Sequence, residues 1–262
     1  MGPVRLCAGG PFPYTRKVSE LPKIIGHRGA AGLAPENTLG GFGKAKQAGA
    51  GWVEFDVRIT RDSRLAVIHD ADLERTTNGR GRVADCDMAE LGALDAGSWF
   101  EPGGGYAGEK VPSLEEALEL LGDLGLGANI EVKPTPGRER EAGRRAAGIA
   151  ARSGRRDAGL PLLSSFSPEV LEAAREASAG LPLGLLLSRL VPGWENAARA
   201  LGCFSLHCNH KALNRALARR IKDEGLGLLV YTVNEVARAR ELISWGVDSV
   251  ITDVPDLLLA GL

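Results

Sequence analysis

Short apolar runs of strand character recur along this chain, and helix-like stretches separate them. Eight runs stand out: "KIIGH" at 23–27, "WVEFDV" at 52–57, "GANIEV" at 127–132, "PLLSSF" at 161–166, "PLGLLL" at 182–187, "CFSLH" at 203–207, "GLLVYTV" at 227–233 and "DSVIT" at 248–252. A parallel strand pair needs a crossover of roughly a dozen residues or more, and the helix-like stretches supply it. Eight such units close on themselves as a (β/α)8 TIM barrel, and 262 residues is the length of one such domain. The expected fold class is α/β. On that architecture chemistry belongs at the C-terminal ends of the strands and in the loops that follow them.

Several helix starts carry side chains that can cap them. Asn37 or Thr38 precedes "LGGFGKAKQAGA", Ser113 precedes "LEEALELLG", Ser167 with Pro168 opens "EVLEAAREASAG", and Asn234 precedes "EVARARELISWG". A ninth strand-like run, "RLAVIHD" at 64–70, follows the second strand after only "TRDSR", which is too short for a crossover. It is expected to turn back as a hairpin. With Asp62 and Ser63 as a two-residue turn, His69 would stand opposite Asp56. Residues 71–112 show no sustained periodicity and are expected to hang over the strand ends as a cap, since a loop of that length in a compact domain is usually functional. Residues 1–20, rich in Gly and Pro, read as a flexible arm, leaving 21–262 as a single TIM-barrel domain with the cap inserted at about 71–112. The basic stretch "GREREAGRRAAGIAARSGRR" at 137–156 reads as a solvated helix face.

Charge narrows the partners. With 32 basic and 33 acidic residues the formal net charge is -1, so no basic field points to nucleic acid. Cys7, Cys86, Cys203 and Cys208 are too few and too scattered for a disulfide-stapled fold and suit a reducing compartment. The opening segment lacks a signal-peptide core and no run has membrane-helix length, so the expectation is a cytoplasmic protein without an integral membrane segment. Nothing in the sequence reports an oligomeric state.

The charged residues fall at strand ends. Glu54 and Asp56 stand two apart in "VEFDV", so both leave one face of the strand with Cβ atoms about 6–7 Å apart. At that distance two carboxylates repel by roughly 3 kcal/mol at an effective dielectric near 20, and a buried pair needs a proton, a cation or a basic partner. Glu131 and Lys133 repeat the spacing in "NIEVK". Three carboxylates from two strands suit one hard divalent cation, Mg2+ or Ca2+, better than zinc. With that ion the carboxylates leave one negative charge, and Arg28 and Lys133 add two positive ones, leaving room for one anionic group. A phosphodiester fits, since Arg grips phosphate as a planar fork and Lys as a point charge. His27 and His69 can move protons near neutral pH.

Other motifs carry less. Cys203, His207, Cys208 and His210 cluster in "CFSLHCNH", but the spacing is not that of a zinc finger, and strand alternation sends His207 and Cys208 to opposite faces. No G-x-S-x-G elbow is present for a serine hydrolase. Glu36 in "PENT" reads as supporting the helix start or the site rather than acting directly.

"IGHRGAAGLAPENT", "EFDVRITRDSRLAVIHDADLERTTNG", "NIEVKP", "SSFSPEVL", "YTVNE" and "GVDSVITDVPD" occur in the order and spacing of the glycerophosphodiester phosphodiesterase family. The chain resembles that family from about residue 23 to 256, most of all its cytosolic bacterial members associated with glycerol-3-phosphate uptake. The resemblance implies metal-dependent hydrolysis of glycerophosphodiesters, such as glycerophosphocholine or glycerophosphoethanolamine, to sn-glycerol 3-phosphate and an alcohol. It also implies Glu54, Asp56 and Glu131 as metal ligands, His27 and His69 as the acid/base pair, Arg28 and Lys133 on the phosphate, and an inserted cap that helps bind the glycerol end. Tyr231 stands where many relatives carry Trp, and Ser63 where Gly usually completes the hairpin turn. Two alternatives are a phosphodiesterase acting on lysophospholipids and a barrel that binds phosphodiesters without turnover.

Overall fold

The computed structural model describes residues 21–101, 103–153 and 160–262, so the arm expected over 1–20 lies outside the described residues. In chain order the strands are β1 (Ile24–Gly26), β2 (Trp52–Ile59), β3 (Leu65–Val67), β4 (Gly127–Val132), β5 (Leu162–Ser165), β6 (Leu183–Leu187), β7 (Ser205–Asn209), β8 (Gly227–Tyr231) and β9 (Ser249–Thr252). All but β3 are parallel, and β1 pairs with both β9 and β2, so eight strands close into a barrel. Every expected strand run contributes one of them. The helices are α1 (Leu39–Gln47), α2 (Met88–Leu91), α3 (Leu114–Leu124), α4 (Glu139–Ser153), α5 (Pro168–Ala177), α6 (Trp194–Ala200), α7 (Arg215–Asp223), α8 (Val236–Ser244) and α9 (Pro255–Gly261). The fold is a (β/α)8 TIM barrel. No helix among the described residues is long and apolar enough to cross a membrane.

Period-two alternation sorts each strand. Val53, Phe55 and Val57 of β2 and Ile130 and Val132 of β4 join the large core between strands and helices. Their neighbours Glu54, Asp56, Asn129 and Glu131 leave from the other face, into the barrel. A smaller apolar cluster of Ile25, Leu162, Leu229 and Ile251, with Phe204 beside them, fills the barrel one layer below the polar mouth. The site therefore stands on a packed floor.

Capping explains most helix starts. Thr38 takes the amide of Gly41 and begins α1, while Ser113 and Glu116 form a reciprocal capping box on α3 and Ser167 takes the amide of Val170 on α5. Asn234 does not cap α8; its amide group is committed to Asp253 and Thr252 instead. The basic stretch forms α4, which buries Ala142, Gly143, Ala146, Ala147 and Ala150 and turns Arg140 toward Glu172 and Glu176 of α5.

The hairpin register differs by one residue from that expected. Val57 pairs with Val67 and Ile59 with Leu65, which puts Ile68 rather than His69 opposite Asp56. The loop holds three residues, Arg61–Ser63, and Ser63 completes it in the left-handed region at φ 62. Beyond β3, the expected cap folds around α2, a 3-10 turn at Val83–Asp85 and a core of its own made by Ile68, Leu73, Val83, Met88, Leu91 and Val111.

Candidate active site

Glu54, Asp56 and Glu131 meet inside the barrel mouth, all buried, each offering an oxygen within 4.8 Å of the others. Strand alternation brings the first two together, and the in-register pairing of Asp56 with Glu131 adds the third. Asp56 is the fixed point of the set. Asn37, at φ 58, donates to its carboxylate at 3.0 Å and accepts its amide at 3.1 Å. Lys133 Nζ lies 2.9 Å from Asp56 Oδ1 and also pairs with Glu131, while Arg28 Nε approaches Asp56 Oδ2 at 3.3 Å.

Burial raises the cost of charge on Asp56, but Lys133 and Arg28 outweigh it and hold its carboxyl well below the usual range. Glu54 goes the other way. Burial and the neighbouring Asp56 charge push its carboxyl up to about 8, and its Oε1 is buried without a hydrogen-bond partner. Glu131 is likewise raised, by burial and then by Asp56, with Lys133 opposing. Three carboxylates thus crowd one buried mouth, and burial with the charge of Asp56 favours the protonated form of Glu54 against the pull of His27 and Arg28. A hard divalent cation with oxygen ligands fits that cluster, and the orphan Glu54 oxygen fits as a donor to it.

The two histidines flank this cluster on separate elements. His27 directly follows β1, with Nδ1 2.6 Å from Asp253 Oδ1, and Arg28 Nε donates to its Nε2 at 3.3 Å. In the neutral form its proton therefore sits on Nδ1, leaving the Nε2 lone pair facing the site, 3.9 Å from Glu54 Oε2. Burial lowers the His27 pKa, but the Asp253 hydrogen bond and the Glu54 charge overcome it and leave it raised. His69 carries the same device, with Nδ1 2.6 Å from Asp70 Oδ1, and Arg58 Nε holds its carbonyl at 2.7 Å. Here burial prevails over the pull of Asp56, and the His69 pKa is lowered. Arg28 sits at φ 49, a left-handed conformation uncommon outside Gly, which lets its amide donate to Glu54 Oε2 at 3.1 Å. All seven residues expected from the sequence converge at one mouth.

Their supports were less legible. Glu36 accepts from Arg28 Nη1 at 2.6 Å and from Arg75 of the inserted segment, as its place in "PENT" foreshadowed. Asp253 and Asp70 orient the imidazoles; the "HD" pair was a signal for Asp70, whereas Asp253 lies at the far end of the chain. Asn234 steadies Asp253 through a 2.7 Å hydrogen bond. Phe166 stands edge-on to Tyr231, with ring centres 6.1 Å apart, and 5.9 Å from Lys133 Nζ. His207, by contrast, is sealed inside the barrel against Ser205, its pKa pushed down to about 3 by burial, while Cys208 packs in the outer core. The two do not share a site.

Residues 27–257 match the glycerophosphoryl diester phosphodiesterase family. A glycerophosphodiester phosphodiesterase of Caldanaerobacter subterraneus is 36% identical over 241 residues, covering 90% of this chain and 96% of the relative. One of Bacillus subtilis is 35% identical over 248 residues, covering 89% and 84%. Among solved structures, an Oleispira antarctica phosphodiesterase in complex with the product sn-glycerol-3-phosphate superposes with a TM-score of 0.89 at 34% identity, covering 94% of this chain and 99% of that one. The chain belongs to the glycerophosphoryl diester phosphodiesterase family, a family of phosphoric diester hydrolases.

Proposed function

We propose that this protein hydrolyses glycerophosphodiesters, such as glycerophosphocholine or glycerophosphoethanolamine, to sn-glycerol 3-phosphate and an alcohol, using one divalent cation, Mg2+ or Ca2+. The observation that carries the reading is the buried trio Glu54, Asp56 and Glu131 between two imidazoles that are each pinned through Nδ1. That trio would hold the ion, which when bound supplies Lewis-acid stabilisation of the phosphodiester.

The remaining steps belong to the chain's own residues. Arg28 and Lys133 grip the phosphate oxygens and offset the charge that grows on them as the new P–O bond forms. One imidazole accepts the proton of the attacking hydroxyl through Nε2, and the other delivers a proton to the alcohol oxygen as its P–O bond breaks. Asp253 and Asp70 keep each ring in the tautomer that points Nε2 at the site. The reading takes residues 21–262 as one domain with its inserted cap over the mouth, and a reducing, cytoplasmic setting accords with the free Cys86, Cys203 and Cys208.

The test is release of sn-glycerol 3-phosphate from glycerophosphocholine by the purified chain, first with a chelator and then with Mg2+ or Ca2+ restored. Turnover is expected only with metal, and His27→Ala and His69→Ala should each reduce kcat by about 100-fold or more. Folded wild-type protein that releases no product under either metal would sink the reading. Release from lysophospholipids alone would move the substrate class to the first alternative.

A further inference from the structure

A continuous hydrogen-bonded chain runs from one imidazole to the phosphate-facing guanidinium: His69, Asp70, Arg75, Glu36, Arg28. Its midpoint is contributed by the inserted segment. Arg75 Nε donates to Asp70 Oδ2 at 2.5 Å and Nη2 to Asp70 Oδ1 at 3.1 Å, while Nη1 and Nη2 each reach Glu36 at 2.8 Å. Each of the two carboxylates it grips holds one proposed reacting group, since Asp70 takes His69 Nδ1 at 2.6 Å and Glu36 takes Arg28 Nη1 at 2.6 Å.

We propose that Arg75 is a positioning residue of the reaction, setting where the His69 imidazole stands relative to the Arg28 guanidinium through the two carboxylates that orient them. The inference rests on the roles given to His69 and Arg28 above. Arg75 is itself well anchored: two residues before it, Leu73 is buried in the inserted segment's core, and Thr77 donates back to the Leu73 carbonyl from both its amide and its hydroxyl. The fold of the insertion is thereby read out at the barrel mouth. A lysine has one compact ammonium and cannot make the two-sided fork, so it keeps the charge but not the geometry. His69 needs such a hold because it lies beyond the last ladder pair of β3, where the sheet no longer dictates its direction.

The experiment is steady-state kinetics on glycerophosphocholine for wild type, Arg75→Lys, Asp70→Asn and the double variant, with circular dichroism and Tm on each. A control, Arg61→Lys, alters exposed ion pairs of Arg61 with Asp87 and Glu90 that tie the same segment to the hairpin without touching this chain. Arg75→Lys and Asp70→Asn should each lower kcat by about 10- to 100-fold with KM within about threefold of wild type, as expected when a reacting group is misaligned. Because both act through one link, the double variant should lose no more than the worse single one within about twofold. Arg61→Lys should keep wild-type kcat.

The inference is overturned by kcat of Arg75→Lys within twofold of wild type, by a KM rise at unchanged kcat, by additive losses, or by an equal loss in Arg61→Lys. Should Arg75→Lys fail to fold, Arg75→Gln, which keeps an amide donor but not the two-sided fork, decides by the same kcat and KM criteria. Wild type without turnover would remove the phosphodiesterase reading and this inference with it; an active wild type with an indifferent Arg75→Lys removes this inference alone.

Discussion

Glu54 and Asp56 are two residues apart on one strand and carry the same acidic group in opposite surroundings. Asp56 meets Lys133, Arg28 and Asn37, whereas Glu54 keeps one oxygen buried and unpartnered. The difference has a measurable consequence for stability against pH. In metal-free protein the Glu54 carboxyl is raised from 4.5 to about 8, so across that interval the folded chain holds a proton that the unfolded chain has released. The contribution is fully present below about 4.5 and is lost as pH rises through about 8. Urea denaturation of chelator-treated protein should therefore show wild type losing stability relative to Glu54→Gln between about pH 5 and pH 8. A wild-type curve that runs parallel to that of Glu54→Gln over the whole range would mean that Glu54 folds ionised. The comparison is made against the variant because His27, raised, and His69, lowered, titrate with opposite signs in the same window.

At the scale of elements, packing assigns opposite roles to chemically identical positions. Gly143 and Gly148 both lie in α4. A Cβ at Gly143 would fall 2.2 Å from the carbonyl oxygen of Val170 in α5, a backbone atom that cannot step aside, whereas at Gly148 the nearest atom is the tip of Arg152 at 3.6 Å. Gly143→Ala should destabilise by about 1–3 kcal/mol through overpacking. Gly148→Ala should stabilise by about 0.5–1 kcal/mol, since alanine gives up less backbone entropy in a helix. Thermal or urea unfolding of the two variants decides, and equal effects would refute the close α4–α5 approach. The hairpin teaches a related lesson. Asp62 and Ser63 were legible as turn residues, but a two-residue type I′ turn makes both of them left-handed, whereas a three-residue loop needs only its last residue so. That choice, made by Ser63 at φ 62, moves every later residue by one place.

For the whole molecule, an ion held by the carboxylate trio would couple binding to folding. Glu54, Asp56 and Glu131 come from two strands, and the in-register pairing of β2 with β4 presents them together. A divalent ion binding the folded state alone should stabilise it by about 2.7 kcal/mol at a concentration 100 times its Kd. Tm of chelator-treated protein should rise as Mg2+ or Ca2+ is titrated in, and Glu131→Gln should blunt the response. An unchanged titration in Glu131→Gln would remove Glu131 from the ligand set.

Much of this molecule was written in local pattern. Period-two alternation, repeated with crossovers between, determined eight parallel strands and a barrel; the same alternation put Glu54 with Asp56 and Glu131 with Lys133 on inward faces, and the strand ends marked His27. These follow from the chain alone because a pleated strand has no other way to place its side chains. The tertiary structure decided what depends on residues distant in sequence: the pairing of Asp253 with His27, the diversion of Asn234 from capping α8 to holding Asp253, and the reach of Arg75 from the insertion to Glu36. Such contacts are formed by loops brought side by side when the barrel closes. No local periodicity encodes them, since each partner's own stretch of chain is equally content without the other.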